Sequence, residues 1–229
     1  MMLVRMMGVR RAAIFGGTFD PVHNGHMEAA RRVQHLFALD EVIFVPACVP
    51  PHKRNSSITS AFHRFAMLAL ATEADARLRL STVELDAPEQ PYAVDTVARF
   101  RAELGHETQL FFLMGADSWL EITSWHDWRR LLGLCHFIIV TRPGYELDPR
   151  ASANKPIPVV KVRELSCRQV TILESDEDSP HAFITDAAMV DVSATAIRTA
   201  ARAADYAKLA EMVPPAVANY IEKHELYRN

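Results

Sequence analysis

Along most of the chain, segments with the apolar pattern of a strand alternate with segments whose apolar residues recur at the spacing of a helix. Residues 12 to 15 form a short apolar run, AAIF, which ends at Gly16-Gly17 and predicts a buried strand that meets a tight turn. Residues 25 to 38 then place apolar side chains at helical spacing, which predicts a helix directly after that strand. The first structural unit that the sequence defines is therefore a strand, a glycine turn and a helix.

The same alternation continues further along the chain. Apolar runs predict strands at residues 42 to 45, 78 to 83, 110 to 114 and 137 to 140, and helical spacing predicts a helix at 92 to 104. Another helix is expected after Ser60, which is a good cap residue. Its predicted buried face consists of Phe62, Phe65, Ala66, Ala69 and Leu70.

Strands that alternate with helices predict an α/β fold, a doubly wound parallel sheet with helices on both faces. Such sheets bind ligands beyond the carboxyl ends of their strands, where the strand order reverses. A helix at 192 to 203 and another from Pro214-Pro215 predict a small C-terminal helical portion. We expect one domain over residues 1–229, with its core at 10–142 and 192–229. Residues 143–191 show no clear period.

Composition and charge narrow the class of protein. Of the 229 residues, 49% are hydrophobic and 23% are charged, which is typical of a globular protein. The formal net charge of −3 provides no global positive field for nucleic acid or an anionic membrane, so a phosphate ligand must be held locally. Neither a signal peptide nor a membrane span is recognisable. Together with three scattered cysteines that lack CxxC spacing, this predicts a cytoplasmic protein without a disulfide framework or zinc site.

The most informative segment is GGTFDPVHNGH, residues 16 to 26, at the predicted junction of strand and helix. Glycines allow a ligand to approach the backbone, and a helix N-terminus presents N–H groups to an anion. His23 and His26 can point at the same phosphate and stabilise charge that develops during its transfer. An isolated HxxH is more often a polar turn, but the complete string favours a phosphate site. Neither the GxxxxGK[ST] nor the GxGxxG motif is present.

Two further segments carry candidate phosphate and ribose ligands. In VSATAIR, residues 192 to 198, Ser193 caps a helix, Thr195 adds a hydroxyl and Arg198 follows one turn later, which suits a triphosphate. An ordinary capped helix is the alternative. Asp117 follows a strand that ends at Gly115, where a carboxylate either accepts hydrogen bonds from ribose or caps the next helix.

Candidates for a second ligand are less distinctive. Trp125, followed by His126, either stacks on a pyridine ring or anchors the fold, and Trp119 and Trp128 offer a comparison. Lys53 lies on a proline-rich loop and either attracts a phosphate or is simply solvated. His35, His63 and His136 are expected to be structural.

Several of these strings together resemble one known family. They are GGTFDPVHNGH at 16–26, VPPHK at 49–53, PYAVDT at 91–96, GADS at 115–118, Trp125, RPGY at 142–145 and VSATAIR at 192–198. The chain thereby resembles the HxGH nucleotidyltransferase superfamily and, within it, bacterial nicotinate-nucleotide adenylyltransferases. The resemblance covers nearly the whole chain and is weakest over 146–190.

The resemblance implies a Rossmann-like fold and transfer of AMP from ATP to nicotinate mononucleotide, which gives deamido-NAD and pyrophosphate in NAD biosynthesis. Mg²⁺ is expected to accompany ATP, without a protein metal cage. The implied catalytic residues are His23, His26 and Arg198. The implied ATP and phosphate ligands are Gly16, Gly17, Thr18, Phe19, Gly115, Asp117, Ser193 and Thr195. The implied mononucleotide ligands are Lys53, Tyr92, Trp125 and His126.

Two positions depart from the family pattern. Ala93 follows Tyr92 where relatives usually have a hydroxyl residue, and Ala194 replaces another hydroxyl. Backbone N–H groups can still bind the carboxylate. Within the same enzyme class, the alternative substrate is nicotinamide mononucleotide or another phosphorylated acceptor, and length and Trp125 disfavour pantetheine phosphate. A non-catalytic nucleotide-binding regulator, which intact His23, His26 and Arg198 disfavour, is the alternative from another class. A homo-oligomer is compatible with the sequence.

Overall fold

All the strands of the described chain form one parallel sheet. The structure is a computed structural model, and it describes residues 9–48, 58–87, 89, 91–141, 155–162, 179–186 and 192–228. The strands are β1 (Arg11–Gly17), β2 (Glu41–Pro46), β3 (Leu78–Leu80), β4 (Gln109–Gly115), β5 (His136–Val140), β6 (Val159–Val162) and β7 (Ala182–Thr185). Their order is β3-β2-β1-β4-β5-β7-β6, and every neighbouring pair is parallel.

Helices cover both faces of this sheet. They are α1 (Asn24–Leu36), α2 (Ala61–Thr72), α3 (Ala93–Leu104), α4 (Ala116–Glu121), α5 (Trp128–Leu134), α6 (Ala194–Arg202), α7 (Tyr206–Met212) and α8 (Pro215–Lys223). Side chains alternate along β1, so that Ala13 and Phe15 join a core with α1, α2 and α6 to α8, whereas Ala12 and Ile14 join a second core with α3 to α5. The predicted doubly wound parallel sheet is confirmed.

The strand order reverses between β1 and β4. The chain runs outward from β1 to β2 and β3, then returns to place β4 on the other side of β1. The segments that follow β1 and β4 therefore turn to opposite faces and leave a crevice at the carboxyl edge, where parallel sheets bind ligands. No helix within the described ranges is both long enough and apolar enough to cross a membrane.

The predicted buried face of α2 is wrong at two of its five positions, Phe62 and Ala69. Phe62 is 81% exposed and Ala69 is also exposed, whereas Arg64, Met67, Leu68 and Ala71 are buried. The buried positions follow the spacing i, i+3, i+4 and i+7, so the helix is amphipathic with Arg64 on its inner face. Ser60 lies at the predicted cap position, but its side chain makes no capping hydrogen bond.

Other differences concern short elements. The strand predicted at 78 to 83 ends at Leu80 and is followed by a turn at residues 82 to 85. Segments 159–162 and 182–185, within the range that showed no period, are strands that complete the sheet. Helices α5 and α7 were not predicted from the sequence. Elements of four to seven residues carry too little periodicity to be recognised locally, and they depend on packing against their neighbours.

Candidate active site

A cavity of about 450 Å³ opens at the carboxyl ends of β1 and β4. Its walls come from the β1–α1 junction, the end of β4 with the start of α4, Trp125, the end of β5, and the start of α6. These segments are far apart in sequence and meet because the strand order reverses here. The volume is in the range of small-molecule sites.

The β1–α1 junction is a tightly packed turn. A Cβ atom at Gly17 would lie 3.0 Å from the ring of Phe19, so that a side chain at this position would displace the ring. Phe19 itself has a φ of 49°, in the left-handed region that non-glycine residues rarely adopt. Its ring is buried against Phe15 and Phe44, which holds the turn in this conformation. Gly16, Gly17, Thr18 and Phe19 all line the cavity.

His23 and His26 lie together at the start of α1. His23 is the N-cap residue, and its ring stacks on that of His26 with centroids 3.7 Å apart and planes 25° apart. The backbone N–H of His23 donates to Nδ1 of His26 at 3.3 Å. Because Nδ1 of His26 accepts this bond, the proton of the neutral ring is on Nε2.

The surroundings favour the neutral form of His26. Burial lowers the pKa of His26 well below its usual value, and the nearby His23 lowers it further. At neutral pH the ring is therefore uncharged and has one N–H donor, at Nε2. Both histidines line the cavity.

The start of α6 meets the β1–α1 junction directly. Ser193 caps the helix, because its Oγ accepts a hydrogen bond from the N–H of Ala196 at 3.2 Å. Arg198 donates from Nη1 to the carbonyl oxygen of Asp20 at 2.7 Å and from Nη2 to Oγ1 of Thr195 at 3.2 Å. Ser193, Thr195 and Arg198 all line the cavity, so two segments separated by some 170 residues share one site.

The opposite wall contains an acid and an aromatic ring. Gly115 ends β4 and Asp117 lies in the first turn of α4, with its side chain exposed at the cavity. Trp125 is half-buried and meets Phe112 edge to face, with ring centroids 6.3 Å apart. Trp119 is fully buried, and neither Trp119 nor Trp128 is among the lining residues.

Two predicted mononucleotide ligands, Tyr92 and His126, are not among the residues that line the cavity. Tyr92 and His126 stack on each other outside it, with ring centroids 4.1 Å apart. The backbone N–H of Tyr92 already donates to Oδ2 of Asp95 at 3.1 Å. Lys53 lies outside the described residues, as do the strings VPPHK and RPGY.

The cavity also contains side chains that the sequence did not single out. Asp20, Ser118 and Thr141 all belong to its lining. Asp20 is buried, and its carboxylate accepts hydrogen bonds from the hydroxyl of Tyr227 at 2.8 Å and from the N–H of Thr59 at 3.4 Å. Asp20 and Ser118 lie within the family segments at 16–26 and 115–118, and Thr141 directly follows β5. Their positions next to strand ends could have identified them from the sequence as site residues.

The histidines expected to be structural lie elsewhere. His35 is exposed on α1, Nδ1 of His63 is 3.0 Å from the hydroxyl of Tyr220, and Nδ1 of His136 accepts the N–H of His181 at 3.2 Å. None of the three is among the lining residues of the cavity.

Comparison with known proteins identifies the family. The sequence profile of the Cytidylyltransferase-like family matches residues 14–200, which include the histidine pair and Arg198. The chain belongs to this family.

Relatives define the group more closely. A protein of Moorella thermoacetica named "Probable nicotinate-nucleotide adenylyltransferase" is 38% identical over 218 residues, which is 95% of this chain and 92% of the relative. A protein of the same name from Chromobacterium violaceum is 38% identical over 95% of this chain and 99% of its own length. The resemblance to nicotinate-nucleotide adenylyltransferases is thereby confirmed.

The fold is shared with a solved structure. The Plasmodium falciparum nicotinic acid mononucleotide adenylyltransferase complexed with NaAD aligns over 95% of this chain and 97% of its own, with a TM-score of 0.71 at 19% identity. At that identity the likeness concerns the fold alone.

Proposed function

We propose that this chain transfers the AMP part of ATP to nicotinate mononucleotide. An oxygen of the mononucleotide 5′-phosphate attacks the α-phosphorus of ATP, the bond between the α-phosphorus and the bridging oxygen breaks, and pyrophosphate leaves. The observation that carries the proposal is the convergence of His23, His26, Ser193, Thr195 and Arg198 on one cavity at the strand-order reversal. The names of the relatives agree with this reaction.

Catalysis in this proposal is mainly positioning and charge stabilisation. His26 donates from Nε2 to an oxygen on the α-phosphate, since Nδ1 already accepts the N–H of His23. His23 donates to the same phosphate from the adjacent ring. The attacking phosphate is already an anion, so no covalent nucleophile is needed.

The two helix N-termini hold the other phosphates. α1 and α6 both begin at the cavity, and the positive ends of their dipoles favour anions. Arg198 binds the departing pyrophosphate with guanidinium N–H groups beyond the two that bind Asp20 and Thr195. The other proposed phosphate ligands are Gly16, Gly17, Thr18, Phe19, Ser193 and Thr195.

The remaining candidates divide between the two nucleotides. Asp117, next to Gly115, accepts hydrogen bonds from the adenosine ribose, and Trp125 stacks on the nicotinate ring. Lys53, Tyr92 and His126 bind the mononucleotide further out. For Tyr92 and His126 this requires the ligand to reach beyond the cavity wall to the stacked pair.

Mg²⁺ enters this proposal with ATP as part of the substrate. The described part of the chain has no group of three or more His, Cys, Asp or Glu that could hold a metal ion. Of the two carboxylates in the cavity lining, that of Asp20 is already hydrogen-bonded to Tyr227. An ion that bridges phosphate oxygens and keeps most of its water needs few protein ligands. The cytoplasmic location stays a prediction.

Nicotinamide mononucleotide is the second candidate acceptor. Ala93 offers no hydroxyl for the pyridine carboxylate, and the N–H of Tyr92 is already bonded to Asp95. Both features reduce the number of groups that can distinguish the carboxylate of nicotinate from the amide of nicotinamide.

The test is release of pyrophosphate from ATP with each mononucleotide in parallel. We expect a higher kcat/KM with nicotinate mononucleotide, and equal values would remove the proposed preference. A chain that binds ATP but releases no pyrophosphate with either acceptor would be a regulator and not this enzyme.

A further inference from the structure

A buried arginine behind the phosphate site makes four hydrogen bonds to backbone carbonyls. Arg64 on α2 is 1% exposed and is not among the residues that line the cavity. Nη1 donates to the carbonyl of Thr18 at 2.7 Å, and Nε donates to that of Thr59 at 3.0 Å. Nη2 donates to the carbonyls of Ala47 and Cys48 at 2.7 and 2.8 Å.

These four carbonyls belong to three separate segments at the carboxyl edge of the sheet. Thr18 lies in the β1–α1 junction, Ala47 and Cys48 directly follow β2, and Thr59 precedes α2. A planar guanidinium with its donors in a fixed fork can join three segments in one plane. Arg64 therefore fixes the position of the β1–α1 junction relative to the rest of the sheet edge.

The charge of Arg64 is poorly explained by stability alone. Its hydrogen-bond partners in the described ranges are neutral carbonyls, and Asp20 and Glu84 act on it only electrostatically. Burial lowers the pKa of Arg64, so the surroundings disfavour its charge. Removing a cation from water is costly, and the four carbonyl bonds of Arg64 offset that cost, so only part of their energy remains as net stability.

The bond to Thr18 has a direct effect on the phosphate site. The peptide between Thr18 and Phe19 is not cis, so its carbonyl and its N–H point in opposite directions. With the carbonyl bonded to Arg64, the N–H of Phe19 is turned away from α2. Phe19 also has the left-handed φ of 49°, which is unfavourable for a residue with a side chain. Because Arg64 holds the Thr18 carbonyl, the peptide between Thr18 and Phe19 cannot rotate to let Phe19 adopt a more favourable φ.

We infer that Arg64 is a positioning residue for the transfer reaction: it holds the peptide groups of the β1–α1 junction in the orientation that receives the reacting phosphates. The inference rests on the proposed function for its reaction, but its structural basis is independent of the acceptor. Arg64 does not line the cavity, and in this inference it acts through the backbone of Thr18 and Phe19.

The chain contains a matched control for this inference. Arg101 on α3 also donates to backbone carbonyls, from Nε and Nη2 to Leu134 at 3.2 and 2.9 Å and from Nη1 to Thr108 at 2.7 Å. Leu134 and Thr108 precede β5 and β4, so this arginine lies at the opposite edge of the sheet from the cavity. Arg64→Lys and Arg101→Lys therefore remove the same kind of interaction at the two edges.

The experiment compares kcat and KM for ATP in both lysine variants and in Arg64→Gln, with the folded fraction measured by circular dichroism. A lysine offers one compact ammonium, which cannot reach all four carbonyls. We expect Arg64→Lys to lower kcat by about 10- to 100-fold with a smaller change in KM, since misplaced groups mainly affect the transition state. Arg101→Lys is expected to lower the melting temperature and to change kcat by less than about twofold, because it leaves the reacting geometry in place.

Arg64→Gln keeps the test decisive if the lysine variant does not fold. Glutamine retains donors without a buried charge, so we expect a folded protein with the same loss of kcat. A folded Arg64 variant with kcat near the wild-type value, or an equal loss of kcat in the Arg64 and Arg101 variants, would overturn the inference.

The wild-type chain in the same assay separates the two proposals. If it releases no pyrophosphate, the proposed function fails, and binding of α,β-methylene-ATP then tests Arg64. Weaker binding to Arg64→Lys than to Arg101→Lys would still support positioning of the junction, whereas equal binding would refute it.

Discussion

At the scale of single residues, the proposed chemistry depends on the stacked imidazoles of His23 and His26. The ring of His26 is held neutral by burial and by its neighbour, and the bond from the N–H of His23 to Nδ1 fixes its tautomer. These two features make His26 a hydrogen-bond donor and not a proton source. A donor oriented before the reaction stabilises developing charge without reorganisation during the step.

Replacement of His26 tests this role. We expect His26→Ala to lower kcat by roughly 10²-fold or more, the usual effect of losing one oriented donor. His35→Ala is the matched control, because His35 is exposed on the same helix and lies outside the cavity lining. Steady-state pyrophosphate release measures both, and a near-normal kcat in folded His26→Ala would exclude the ring from catalysis.

Glu84 gives the free energy of unfolding a pH dependence of known sign. Burial raises the pKa of Glu84 from 4.5 to about 7, although Oε1 accepts a bond from the hydroxyl of Thr96 at 2.8 Å. The protonated form is thus favoured in the folded state. Its contribution to stability is complete below pH 4.5, the unfolded value, and is lost as pH rises through about 7.

Glu84→Gln should remove this dependence, since the amide can still accept the bond from Thr96 and has no charge to bury. We expect the variant to exceed wild type by about 1–3 kcal/mol at pH 8 and to match it near pH 4.5. Urea unfolding at the two pH values provides the measurement. A variant less stable than wild type at pH 8 would show that the ionised carboxylate is stabilised by its surroundings, Arg64 included.

At the scale of elements, the C-terminal segment after α8 takes part in the site. The hydroxyl of Tyr227 donates to Oδ1 of Asp20, within the junction that carries the histidines. The carbonyl of the same aspartate accepts a bond from Arg198 on α6. The junction is therefore held by α2 through Arg64, by α6 and by the end of the described chain.

Tyr227→Phe tests the contribution of this contact. Removal of one buried hydrogen bond to a carboxylate should cost about 1.5–3 kcal/mol of folding free energy, and the freed Asp20 should lower kcat by several fold. Tyr220→Phe is the control, because its hydroxyl meets Nδ1 of His63 and neither residue lines the cavity. Thermal unfolding and kcat are measured for both, and identical kcat values in the two variants would count against the contact.

At the scale of the whole molecule, the site is created by the order of the strands. Segments 16–26, 115–125 and 192–198 come together because β1 and β4 are neighbours and the connections after them leave to opposite faces. No pair of these segments is adjacent in sequence. The cavity is therefore lined by residues from several segments that are distant in sequence.

Removal of divalent ions tests the proposed role of Mg²⁺. EDTA should abolish pyrophosphate release, because Mg²⁺ enters with ATP, and should leave the melting temperature of the ligand-free protein unchanged. Activity and thermal unfolding are measured on the same sample with and without added Mg²⁺. A fall in melting temperature on chelation would instead indicate a metal bound by the protein itself.

The sequence by itself determined the class of fold, the β1–α1 junction with its two histidines and the capped start of α6. These are local features, since a change of hydrophobic period, a pair of glycines and a cap residue each act within a few positions. Only the tertiary structure decided which distant segments meet, that Arg64 and not Phe62 faces inward, and that Tyr92 and His126 stack outside the cavity. Those outcomes depend on partners far along the chain, because a buried guanidinium is tolerated only where carbonyls from several segments happen to converge on it.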